Sequence, residues 1–77
     1  MTSDTLILLE TPVNESDAQR VCDAIYKAST SAVVSFKPTS GDGVKAFLVK
    51  FDPDRDKPKA MLDEVRAGGW AAVLAGG

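Results

Sequence analysis

Three polar or nucleophilic side chains near the start of the chain have types and spacing suited to chemistry: Asn14, Asp17 and Cys22, all within ETPVNESDAQRVC. Asn14 and Asp17 lie where an apolar run, TLILL, gives way to an apolar-periodic segment, VCDAIYKA. One reading of N-x-x-D here is a helix cap, because Asn and Asp oxygens accept from the unpaired N–H groups of a first turn. Acidic Glu15 and Asp17 also suit the positive end of the helix dipole. Ser16 with Gln19 forms a competing S-x-x-Q box, so the sequence leaves the cap between Asn14 and Ser16. The chemical reading makes Asn14 and Asp17 oxygen ligands of a metal, yet two such ligands fall well short of a hard-cation shell. Cys22 shares an apolar stripe with Ala18 and Ile25 and reads as a core cysteine. Its alternative role is a single soft ligand completed by another molecule.

Composition narrows the chemistry further. The chain has 77 residues, no histidine and one cysteine. It therefore supports neither an intrachain disulfide nor a Ser/His or Cys/His catalytic pair. A chain this short buries only roughly 60–65% of its unfolded surface, leaving little core to surround a substrate cavity, and the expectation is a non-catalytic protein. Charge is mixed, with Lys plus Arg 9 against Asp plus Glu 11, net −2. Without a basic block, a nucleic-acid footprint is not expected. The longest apolar runs, LILL and FLV, are far below the roughly 20 residues of a spanning helix. No signal-peptide pattern opens the chain, so the expectation is a cytoplasmic protein without membrane insertion.

These residues need elements to hold them, and the pattern supplies six. Thr5–Glu10 reads as a buried strand stopped by Pro12. Ser16–Ala28 has helical spacing in Ala18, Val21, Cys22, Ile25 and Ala28. Ser31–Pro38 reads as a second strand, followed by the turn TSGDG. Val44–Phe51 reads as a third, with Phe47, Val49 and Phe51 on one face and Val44, Ala46 and Leu48 on the other. Two apolar faces imply an interior place in the sheet. Asp56 is expected to cap a second helix with Pro58 in its first turn, Met61, Leu62 and Val65 on its apolar side, and Gly68 and Gly69 at its end. Trp70–Leu74 closes as a short strand, with AGG as a frayed tail. The order β-α-β-β-α-β predicts one domain over 1–77. Its expected fold is an α+β, ferredoxin-like βαββαβ sandwich: a four-stranded antiparallel sheet with two helices on one face.

Two halves of the chain carry a family resemblance. VKFDPDRDKPKAMLDEVRAGGWAAVL resembles the second half of a heavy-metal-associated domain, the module of small copper chaperones and of the N-terminal arms of metal-pumping ATPases. NESDAQRVCDAI resembles that family's C-x-x-C-x-x-x-V pattern, with Asn14 and Asp17 in the two cysteine positions and Val21 in the hydrophobic one. The resemblance implies the ferredoxin-like fold and a metal loop at Pro12, Val13, Asn14 and Asp17 with the aromatic Trp70 beside it. It also implies metal transport, and a protein partner such as a metal-transporting ATPase or a homologous domain. The departure from the pattern implies the reverse for the ion. Thiolates suit Cu(I) and Zn(II), whereas an amide and a carboxylate do not suit Cu(I). The expectation is a degenerate C-x-x-C module without a cofactor that works through protein interaction. The alternative is copper or zinc handling with non-standard ligands shared through Cys22.

Two weaker patterns lead elsewhere. KAFLVKF has the outline of an RNA-binding third strand but lacks its stacking aromatics, with Val49 in the place of one. Asp52, Asp54 and Asp56 alternate like the start of a calcium loop but lack its central glycine and closing glutamate, and read as a solvated connector. Met61 reads as ordinary helix packing.

Overall fold

In a computed structural model of the chain, residues 2–36 and 43–75 are described. Their order is β1 (Ser3–Val13), α1 (Glu15–Ala28), β2 (Val33–Ser35), β3 (Val44–Phe51), α2 (Pro58–Ala67) and β4 (Ala72–Ala75). The four strands form one antiparallel sheet in the order β2-β3-β1-β4, the ferredoxin-like α+β arrangement.

Strand alternation decides what each face of the sheet meets. Thr5, Ile7 and Leu9 of β1 and Phe47, Val49 and Phe51 of β3 point inward and are buried. All but Thr5 form one cluster with Ala18, Val21, Cys22 and Ile25 of α1 and Met61, Leu62 and Val65 of α2, so both helices cover this face. The residues between them, Leu6, Leu8, Ala46 and Leu48, point the other way, where no helix lies among the described residues.

Several boundaries differ from the sequence reading, each for a local reason. Strand β1 runs through Pro12 to Val13 instead of stopping at the proline. Its pairing with β3 slips between Leu8 and Val13, and such an irregularity tolerates a residue without a ladder donor. Val44 is buried rather than sharing the outer face with Ala46 and Leu48, because both Lys45 and Ala46 are exposed and the alternation breaks there. Strand β2 is only three residues long, and residues 37–42, including most of the expected turn, lie outside the described segment. Gly43 does take a positive φ of 81° against the Val13 carbonyl. Strand β4 begins at Ala72, leaving Trp70 in the connector; of the expected tail, Ala75 is in the strand and residues 76–77 lie outside the described segment.

Asp56 does not cap α2. The cap position is Lys57, without a side-chain bond, and Pro58 opens the helix. The Asp56 carboxylate instead accepts from the Ser31 hydroxyl and from the Ser31 N–H at 3.2 Å. Ser31 Oγ in turn accepts the Asp52 N–H at 2.9 Å, and Ser29 Oγ accepts the Ala32 N–H at 3.0 Å. This network ties the end of α1 to the β3–α2 connector. Hydrogen bonds from the Ser31 and Ser29 hydroxyls hold the buried Asp56 carboxyl below its ordinary pKa, against the opposing effect of burial. The folded-state pKa is the lower one, so this stabilisation is complete above about pH 4 and lost as pH falls through the folded value. Acid denaturation of Asp56→Asn should therefore show a shallower loss of stability below about pH 4 than the parent chain. Urea midpoints between neutral and acid pH measure it; parallel curves for the two chains would refute the assignment.

Candidate functional site

The mouth of α1 is built by a proline-containing strand end running straight into a capped helix. Asn14 is the N-cap, in extended backbone geometry, and its Oδ1 accepts the Asp17 N–H at 2.8 Å. Of the two caps the sequence allowed, the Asn14 frame is the one formed. Asp17 sits at the third helical position, where its charge faces the positive end of the dipole. Pro12 is exposed, and Val13 packs partly against the core. Asn14 and Asp17 are thus adjacent, but the Asn14 oxygen is already engaged by backbone.

Cys22 does not join them. It lies five residues beyond Asp17, about 7.5 Å further along the helix axis. Its side chain belongs to the core cluster and is 5% exposed. Burial pushes its thiol pKa up, and the neighbouring Asp23 charge adds to the rise, so the thiolate needed for metal or nucleophilic chemistry is disfavoured. Among the described residues, no group of three or more Cys, Asp or Glu side chains is placed to hold a metal ion. The donor set at the α1 mouth, one occupied amide oxygen and one carboxylate, does not fit a thiophilic ion.

Trp70 follows α2 and packs partly against the core. Its ring lies over Gly68: a Cβ there would come within 2.5 Å of the indole Cζ3. Gly68 is therefore demanded by this close approach, while Gly69 is demanded by its φ of 101°. Trp70 also walls an open cleft of about 540 Å³ between the helices, with Ala24, Ala67 and Gly68 as apolar lining and Arg20, Asp23, Lys27 and Glu64 as charged lining. The sequence reading missed this cleft, since only the juxtaposition of two helices creates it. The Asp52–Asp56 run is likewise consumed by local structure: Asp52 accepts the Asp54 N–H at 2.9 Å and lies 3.7 Å from Arg55.

Among the described residues, no helix packs on the outer face of the sheet. One cross-strand row is Ser35–Leu48–Leu6–Ala75; the next holds Ala46–Leu8–Val73; a third holds Val33–Lys50–Asp4. Leu48 is 41% exposed, Val73 44% and Val33 64%.

The chain matches no family model and no curated protein. Among the described residues, no helix is long and apolar enough to cross a membrane.

Proposed function

We propose that this chain is a heavy-metal-associated-like domain whose thiolate site has been replaced by a helix cap, and that it acts as a non-catalytic protein-interaction or regulatory module. The observation that carries this reading is the 2.8 Å bond from the Asp17 N–H to Asn14 Oδ1. At the two positions where the family places sulfur, this chain satisfies its own backbone. The ferredoxin-like topology agrees with the resemblance, and the apolar outer face of the sheet supplies a contact surface. A single buried, reduced cysteine suits a cytoplasmic setting. A metal-transporting ATPase or a homologous domain is the partner class that the resemblance suggests.

Metal titration tests it. The reduced protein is expected to take up no stoichiometric Cu(I) or Zn(II) at micromolar metal in competition with a chromophoric chelator, and Cys22→Ser should behave identically. A tight one-to-one complex would overturn the reading. Loss of that complex in Cys22→Ser would assign the ion to a shared-thiol site.

A further inference from the structure

We infer that the outer face of the sheet pairs with the same face of a second copy of this chain, about a two-fold axis running parallel to the strands between β1 and β3. The inference rests on the interaction-module reading above and names its partner.

The sheet edges are less available than the face. On the outer strand β2, the Val34 N–H donates to Tyr26 Oη at 3.2 Å. On the opposite edge, Arg66 Nε donates to the Ala72 carbonyl at 3.0 Å. Side chains thus occupy backbone groups on both edge strands, and those strands are three and four residues long. Short, partly occupied edges disfavour strand addition.

The face is self-complementary under one particular operator. A two-fold parallel to the strands keeps each cross-strand row in place and lays β1 of one copy over β3 of the other. The register then sets Asp4 against the other copy's Lys50, Leu6 against its Leu48, and Leu8 against its small Ala46. Opposite charges meet at one end, and a large side chain meets a small one in the Leu8 row. A two-fold across the strands through Ile7 would instead set Asp4 against Glu10 of the same strand in the other copy, and like charges there oppose docking. A net charge of −2 adds little repulsion between copies.

Area limits the strength. With strands about 4.8 Å apart, the paired parts of β1 and β3 about 20 Å long and the edge strands only three and four residues long, the footprint is on the order of 300 Å² per copy, well below the roughly 800 Å² of a standard interface. The dimer should therefore be concentration-dependent, with a dissociation constant on the order of 10 µM or weaker.

Sedimentation equilibrium of the full chain from about 5 µM to about 1 mM spans that range. The weight-average mass is expected to rise from 8.1 kDa towards twice that value. Leu48→Lys, at a site open to solvent, should stay monomeric throughout while keeping its far-ultraviolet spectrum and melting temperature. Asp4→Lys should weaken association about tenfold, since it creates two like-charge contacts per dimer, and Asp4→Lys with Lys50→Asp should restore it. A chain that stays monomeric at the highest concentration overturns the inference, as does a dimer indifferent to Leu48→Lys. Equal weakening by the single and double charge variants overturns the axis. A monomer that still takes up no ion removes the dimer and leaves the module reading intact; metal uptake removes that reading without bearing on the mass.

Discussion

Asn14→Cys with Asp17→Cys is expected to give the chain tight binding of a single Cu(I). The gain should be at least about a thousandfold, or about 4 kcal/mol. The geometry already exists: a side chain at position 14 reaches the backbone of position 17, so two sulfurs there can approach one ion across a single helical turn. The helix N-terminus lowers thiol pKa, and thiolates select Cu(I). The substitution removes the Asn14 cap and should cost the metal-free domain about 1 kcal/mol. Metal then returns stability by binding the folded form alone, so the melting temperature should rise on loading. Anaerobic chelator competition reads the affinity, and a calorimetric scan with and without copper reads the linkage. Either single variant should bind far more weakly, since one thiolate does not make a site. A folded double variant that binds nothing would show that the α1 mouth does not occupy the family's ligand position, and the resemblance would then rest on topology alone.

The sequence was most legible where a single period governed a whole element. In α1, Ala18, Val21, Cys22 and Ile25 are all buried, as their spacing required. In β3 the strand bounds agree with the sequence reading, and the two apolar faces correctly implied an interior strand. They did not imply that both faces are covered: Leu48 looks apolar in sequence for the same reason as Phe47, yet it meets solvent. A cap at the mouth of α1 was legible because capping is local, involving residues three apart, but the choice between Asn14 and Ser16 was settled only by the structure. The misreading of Asp56 has the opposite cause. Its partner, Ser31, is 25 residues away, and no local pattern marks a carboxylate drawn from its own helix to a distant hydroxyl. The helix cleft and the partly occupied sheet edges escaped for the same reason, since Tyr26 with Val34 and Arg66 with Ala72 meet only once the chain has folded. Strand ends were displaced where pairing slips, around Pro12, because register irregularities leave no compositional trace.

Phe47→Ala is expected to cost the chain about 3–5 kcal/mol at 25 °C, a large share of its stability. Phe47 is the largest of the fully buried side chains, lies at the centre of β3 and packs its ring 5.6 Å from that of Phe36. Truncating a buried Phe typically costs about 3–5 kcal/mol, from lost transfer free energy and the cavity left behind. At about 0.05–0.15 kcal/mol per residue, a domain of this length holds only about 4–12 kcal/mol in total. The single change therefore removes from about a quarter to all of the stability. Leu48→Ala is the control, one residue along the same strand with its side chain 41% exposed on the other face. It should cost no more than about 1 kcal/mol in the monomer, as surface truncations generally do. Urea titration of both variants at low concentration, where association is negligible, gives the comparison. The contrast tests which face of the sheet the helices cover. If the helices lay instead over Leu6, Leu8 and Leu48, Leu48→Ala would be the damaging change, and the outer surface assigned to docking would be the core.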